Sequence, residues 1–526
     1  MSLNKYDFQK LGLFNNLIQD FLNDEVNQLI SNTNSLEGYS QQISTKKEHF
    51  SSAKRSGLVD ALRQQYKNID ISSSVKANIN ALEQDNTYTI TTGHQLSIFA
   101  GPLYLIYKIC DVIKTARQVA QDNKGITVVP VFWMASEDHD FEEIASFNLF
   151  GQAYTWSADN QNWPVGRMPT NGLESMANNL QEKFQNDELG KELLIDFEKC
   201  YHQANTLKDA VRLYLNNLFE DYGLVILDGD DKDLKASFSI VMQQEVKENV
   251  AWNNIKATCL NHFSKYKVQV NPRFINLFYI HENNVRARID YDGEIYQAIG
   301  LEKTWSKDQL IKSIKEEPWM FSPNVVMRTV YQEHVLPNLS YVGGAGEISY
   351  WLELKSTFEE FNIPYPILKV RNSFTFLRPQ HVDKINQWAI NFEDIYLPIT
   401  ELIDKVLDSE FEKFNIDTDF VDEYYDHLLI NVKSKDPNAL RLIEAEKTKA
   451  LKGLQNIESK VNKTLKNKHE SKINQVKKLK SQLFPNGSLQ ERHDNILHLY
   501  GQHSGKAWLD FMINVIDAYE SKMIIT

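Results

Sequence analysis

Four short strand-like runs, each ending abruptly in glycine or in polar residues, constrain this chain more than any other feature. Tyr88-Thr89-Ile90-Thr91-Thr92 stops at Gly93, and its β-branched content favours a strand. Ile126 to Trp133 is almost continuously apolar, as expected of a strand in a parallel sheet covered on both faces. Gly223 to Leu227 runs into Asp228-Gly229-Asp230-Asp231, and Tyr365 to Val370 runs into Arg371-Asn372-Ser373. Between the first two, Leu103, Ile106, Tyr107, Cys110, Val112 and Ile113 recur near helical spacing, so the segment reads strand, loop, helix, strand. The fold class is therefore α/β with a parallel sheet. Ligands in such sheets bind outside the carboxyl ends of the strands, so the polar ends are expected to converge.

The expected division is a core over 1–384, with insertions of helix and short strand at about 151–220 and 232–335. Residues 385–485 change character. Leu402, Ile403, Val406, Leu407 and Phe411 are followed by Ile443, Ala450, Leu454, Ile457 and Val461, then by Ile473, Val476 and Leu483. This stripe predicts an antiparallel helical hairpin or coiled coil, broken at Asp436-Pro437-Asn438. Residues 486–526 are expected to pack back on the core. From 447 to 480 there are 11 lysines against Glu458 and Glu470, either a solvated face or a surface for an acidic partner.

Composition narrows the classes. A net charge of −13 makes the whole protein a poor nucleic-acid binder, because that association neutralises phosphates. The 3 cysteines, Cys110, Cys200 and Cys259, form no CxxC pair and read as reduced thiols. The amino terminus lacks a signal-peptide pattern, and no apolar run approaches the roughly 20 residues that cross a bilayer, so a cytoplasmic enzyme is expected.

Two polar loops carry the chemistry. In Gly93-His94-Gln95 a histidine sits in the first strand-to-helix turn, where backbone N–H groups suit phosphate or carboxylate and favour a neutral imidazole. The second loop, Ser136-Glu137-Asp138-His139-Asp140, lies in a stretch with five acids directly after the buried strand. Charges this close raise carboxylate pKa values unless a cation, a hydrogen-bond donor or an ammonium substrate offsets them. His94 and Gln95 are expected to engage a carboxylate or a phosphate. Asp138 and His139 would accept an amine proton, and Glu137 or Asp140 would hold an ammonium. A third cluster runs from Arg328 into Tyr341, Gly343, Gly344 and Glu347. It reads as a glycine-rich loop pressed on a ligand, with Arg328 pairing a carboxylate. A fourth, Leu483 to Arg492 leading to Asn495 and Tyr500, suggests a second pocket, or a helix cap at Ser488.

At these residues the chain resembles the cysteine-adding enzymes of bacillithiol biosynthesis, the BshC cysteine ligase family. The resemblance spans almost the whole chain through TTGHQLSIFAGPLYLIYKI, VPVFWMASEDHDFEEI, VVMRTVYQEHVLPNLSYVGGAGEISYW and LFPNGSLQERHDNI, in that order. It implies a Rossmann-type core akin to class I aminoacyl-tRNA synthetases, connecting-peptide insertions and a coiled coil that forms a homodimer. It also implies a ligase that joins cysteine to glucosaminyl malate through an amide bond, the last step of the pathway. In the synthetase analogy Gly93-His94-Gln95 takes the place of the HIGH motif, with a different sequence. A nucleotide, ATP or ADP, is implied near the coiled coil, with Arg371, Ser373, Arg492, Asn495 and Tyr500 as candidates.

Two rival readings remain open at this level. His94, Asp138, His139 and Asp140 offer an N/O set for a metal-dependent amide hydrolase. The lysine face offers a coiled-coil adaptor that binds nucleic acid.

Overall fold

The structure, a computed structural model, describes all residues except 1–2, 409–413, 434–435 and 437–438. Phe411 and Pro437-Asn438 thus lie outside the described residues. The chain forms two compact units, one of residues 1–375 with 489–526 and one of 376–488. These boundaries replace those expected at 384 and 486. The core closes on the strand Ser373–Thr375, which pairs in parallel with the C-terminal strand Lys522–Ile525.

The first unit is built on a five-stranded parallel sheet. Its strands in chain order are β1 (Thr87–His94), β2 (Thr127–Met134), β3 (Val225–Asp228), β4 (Asn338–Gly343) and β5 (Ile367–Val370). Across the sheet they run β5-β4-β1-β2-β3, so the winding direction reverses between β1 and β4. In a doubly wound sheet that switch point opens a crevice at the strand ends. The register sets the ends level, with His94 opposite Met134, Met134 opposite Asp228, and Gly343 opposite Val370.

Four helices matter for the site: α1 (Tyr104–Asp122), α2 (Lys232–Glu248), α3 (Val325–Val335) and α4 (Ala345–Trp351). The core joins Tyr88 and Ile90 of β1, Val112 and Val119 of α1, Leu339 and Val342 of β4, and Ile367 of β5. Each of these is a fully or nearly fully buried apolar side chain, and their burial is the main driving force that holds the strand ends in place.

The segment expected as a glycine-rich loop is instead β4 followed directly by α4. Its glycines serve close packing. A Cβ on Gly343 would lie 2.9 Å from the Tyr341 ring and 3.2 Å from Glu347 Cβ. Between β2 and β3 the chain makes the helices Leu173–Leu180, Glu188–Gln203 and Leu207–Phe219. Between β3 and β4 it makes a second, antiparallel sheet that contains Leu277–Ile280, Arg286–Tyr291 and Phe321–Pro323.

After a helix over Pro379–Gln387, the second unit includes α5 (Ile399–Leu407), α6 (Asp419–Lys433), α7 (Leu440–Asn467) and α8 (Glu470–Leu483). The helices α6 and α7 run antiparallel. Lys447 pairs with Asp422 and Asp426, while Asn462 and Glu458 accept from the backbone of Phe414 and Ile416. Part of the lysine face is thus already neutralised within the hairpin. The stripe on α7 is half-buried at Ile443, Leu454 and Val461, and Ile457 stays 52% exposed.

Candidate active site

A cavity of about 530 Å³ opens at the switch point. Gly93, His94 and Gln95 reach it from the end of β1, Ser136 to His139 from the loop after β2, and Arg328 from α3. Gly344 and Glu347 enter at the start of α4, and Arg371 at the end of β5. Segments far apart in sequence therefore meet above one sheet edge.

Gly93 lacks a side chain for a local reason, since a Cβ there would sit 3.2 Å from an Arg328 guanidinium nitrogen. His94 packs edge-on against Tyr104 at 5.1 Å between ring centres. Its Nε2 is buried with no hydrogen-bond partner. Burial, reinforced by the nearby charge of Lys108, pushes its pKa down to about 3, so a neutral imidazole faces the cavity. Gln95 donates to Asp138 Oδ2 at 2.5 Å, and its own Oε1 is buried without a partner.

The acidic loop is held from behind by a buried ion network. Lys235 of α2 contacts Glu137 at 2.5 Å and Asp230 at 2.8 Å. Arg167 grips Asp230 with two hydrogen bonds, of 2.6 and 2.9 Å. Ser136 lines the cavity, but its hydroxyl is hydrogen-bonded to Asp228, which also pairs with Lys208 at 2.7 Å. Backbone hydrogen bonds from Val165 and Gly166 to the carbonyls of Asp138 and Ser136 fix the loop further. Burial pushes the Glu137 carboxyl up, and Lys235 opposes it.

Arg286, from the antiparallel sheet, decides what Asp138 and His139 can do. Its guanidinium donates to His139 Nδ1 at 3.0 Å and lies 3.5 Å from Asp138 Oδ1. An imidazole whose Nδ1 accepts from a guanidinium carries its proton on Nε2, and Asp138 at 3.6 Å from Nδ1 is too far to compete. Burial raises the Asp138 pKa, but the contacts with His139, Arg286 and Gln95 outweigh it and hold the carboxyl well below its usual range. Neither group is placed to accept an amine proton, contrary to the expectation from sequence. His139 presents a donor, and Asp138 is a fixed anion.

On the other wall Glu347 is ion-paired with Lys108 and accepts from Tyr341 Oη at 2.7 Å and from Gly344 N–H at 2.9 Å. Burial raises its pKa, and these partners, Lys108 first, bring it down to about 2. Arg328 donates to Tyr350 Oη at 3.1 Å. Among the described residues it meets no carboxylate at ion-pair distance.

Several expected residues lie off the cavity. Asp140 caps the short helix Phe141–Ile144 by accepting from Glu143 N–H at 3.3 Å. Tyr341 and Gly343 are buried in β4 behind Glu347. Ser373 accepts from Arg371 at 2.6 Å. Asn495 donates to the carbonyls of Phe99 and Gly101, clamping a turn in which Phe99, Ala100 and Gly101 all have positive φ. Tyr500 packs at Gly505. Of the five nucleotide candidates only Arg371 and Arg492 face the cavity, and Arg371 is committed to a buried two-point pair with Glu491 at 2.6 and 2.8 Å. As a set they do not make one nucleotide site within the core unit. Among the described residues no group of three or more His, Cys, Asp or Glu is arranged to hold a metal ion.

Sequence reasoning missed Lys108, Glu143 and Arg286. Lys108 left a trace, as a lysine in the apolar stretch of α1. Arg286 sits in an alternating strand that reads like any other.

Sheet, cavity and helical unit together define a Rossmann-like enzyme with a coiled-coil domain. Residues 1–372 match the family described as "Bacillithiol biosynthesis BshC, N-terminal Rossmann-like domain", and residues 374–526 match "Bacillithiol biosynthesis BshC, C-terminal coiled-coil domain". A Flavobacterium johnsoniae protein named "Putative cysteine ligase BshC" is 38% identical over 499 residues, 94% of each chain. Proteins of the same name from Christiangramia forsetii and Flavobacterium psychrophilum are 35% and 38% identical. Those matches cover 100% and 94% of this chain, and 99% and 93% of the relatives. The chain belongs to the BshC family of bacillithiol biosynthesis, a family of ligases. No described helix is long and apolar enough to cross a membrane.

Proposed function

We propose that this chain joins L-cysteine to glucosaminyl malate through an amide bond, the last step of bacillithiol formation, and that it works as a homodimer. The observation that carries the substrate is the charge of the cavity. Inside a protein of net charge −13, the lining holds Lys108, Arg273, Arg286, Arg328, Arg371 and Arg492 against Glu137, Asp138, Glu143 and Glu347. Such a surplus suits a ligand with two carboxylates, and a site of this volume suits a small molecule. Arg328 takes a malate carboxylate, because its fork is held by Tyr350 and, among the described residues, has no carboxylate at ion-pair distance. His94 Nε2 and Gln95 Oε1, both buried and unpartnered, are fixed points for the second substrate at the switch point.

The homodimer reading rests on the hairpin, where Phe420, Tyr424 and Ile430 of α6 and Leu442 and Ile457 of α7 remain largely exposed. An apolar series of this kind on a coiled coil is covered by a second copy. Thiol profiling of cells with and without this chain tests the function. Loss of bacillithiol with accumulation of the sugar malate is expected. An unchanged thiol pool in the deletion strain contradicts the reading.

A further inference from the structure

Amide formation needs a free amine, whereas at neutral pH the amino groups of amino sugars and amino acids are largely ammonium. The site must therefore seat a cation and remove a proton from it. Four carboxylates line the cavity, and three are already committed. Glu137 is paired with Lys235, Asp138 is held by Gln95 and Arg286, and Glu347 is held by Lys108, Tyr341 and the Gly344 N–H. Glu143 is different. It lines the same cavity, its side chain is exposed there, and its carboxylate makes no hydrogen bond or ion pair among the described residues.

The position of Glu143 is fixed. Its backbone N–H is capped by Asp140 at 3.3 Å. On either side of it, Phe141 packs on Trp156 with ring centres 5.3 Å apart, and Ile144 is fully buried. The carboxylate therefore starts from a fixed backbone position at the cavity rim. We propose that Glu143 is the carboxylate that receives the primary ammonium of the substrate and accepts its proton. The exchange is a simple one: ammonium and carboxylate become amine and carboxylic acid, with no other reactant. This rests on the ligase reading above, and it moves the acceptor from Asp138 and His139 to a residue five and four positions further along.

The groups that face Glu143 support the assignment. They are Asp138 and Asp140 from the preceding loop, Tyr104 and Lys108 from α1, and Glu347 from α4. Although the side chain is open to the cavity, partial desolvation by the cavity walls raises the Glu143 pKa, and Asp138 and Asp140 raise it further. Its carboxylate is a better proton acceptor than Asp138 for that reason.

The amine that forms the bond is the sugar's, since cysteine supplies the carboxyl, and the test separates it from the cysteine ammonium. Binding of glucosaminyl malate, its N-acetyl form, cysteine and N-acetylcysteine to the full-length protein is measured by calorimetry for wild type and Glu143→Gln. Wild type is expected to bind glucosaminyl malate at least about tenfold more tightly than its N-acetyl form, a gap of about 1.4 kcal/mol. A gap on the sugar pair supports the assignment, whereas a gap on the cysteine pair alone overturns it, because the cysteine amine takes no part in the new bond. In Glu143→Gln the gap closes through weaker binding of the free amine alone. A gap caused by the bulk of the acetyl group would not titrate, whereas this one shrinks in wild type as pH falls and Glu143 protonates. A gap that persists in Glu143→Gln, or wild-type binding indifferent to acetylation, overturns the assignment while leaving the ligase reading intact. Wild type that binds neither sugar nor cysteine overturns both.

Discussion

Lys235→Met removes the one cation that, among the described residues, pairs with Glu137, and the structure fixes what that should cost. The Lys235 side chain is 2% exposed and that of Glu137 11%. Asp230, the second partner, keeps its two hydrogen bonds to Arg167, so the loss falls mainly on Glu137. Breaking a buried pair from one side costs about 3–5 kcal/mol. Methionine preserves most of the packing and Glu137 escapes part of the penalty by protonation, so about 3 kcal/mol is expected at neutral pH. The sign with pH follows from the direction of the Glu137 shift, which is upward from 4.5 and further upward in the variant. A carboxyl with a raised folded pKa binds more protons folded than unfolded, so stability falls as pH rises through that window and recovers as pH falls towards 4.5. Urea unfolding followed by tryptophan fluorescence, at about pH 8 and about pH 5.5, reads both the loss and its recovery. Lys235→Met/Glu137→Gln should regain most of the lost stability. A single-variant loss below about 1 kcal/mol, or one equal at both pH values, would refute the reasoning.

Three further outcomes are expected. Gly93→Ala places a Cβ 3.2 Å from Arg328 and 3.5 Å from the Trp133 carbonyl oxygen; calorimetry should show roughly tenfold weaker sugar-malate binding, with stability changed by less than about 1 kcal/mol. Asp111→Asn leaves the fully buried Lys369 without its counter-ion, and denaturant unfolding should show a loss of about 3–5 kcal/mol. Ile457→Glu puts a charge on the exposed stripe of α7; if the chain is the proposed homodimer, sedimentation should show dimer in wild type and monomer in the variant, with core stability unaltered.

The sheet was legible where a strand ends in a marked change of chemistry. Ile126 to Trp133 gave β2, and the polar ends after β1, β2, β3 and β5 pointed to one rim. The fourth strand was misread because Gly343 and Gly344 follow it at once, and local glycine content looks the same whether it serves a loop or close packing against Tyr341 and Glu347. Site roles were harder. The acid-rich loop stood out as unusual, but which of its members are occupied depends on Arg286 and Lys235, and both come from elements about 100 residues or more away. Asp140 and Asn495 have the residue types of a binding site and serve as a helix cap and a turn clamp. Glu143 was in view all along, and only the pairing of its neighbours distinguishes it.

The central claim is that strand ends from across the chain assemble one site for an acidic amino sugar, with Arg328 at its anionic end. Calorimetric titration of glucosaminyl malate and of the same glucosaminide without its malate, into wild type and Arg328→Met, tests it directly. Wild type should bind only the malate-bearing sugar, and Arg328→Met should weaken that binding by about ten- to a hundredfold, the loss of one charge-assisted pair. Equal binding of both sugars, or an affinity unchanged in Arg328→Met, would contradict the account.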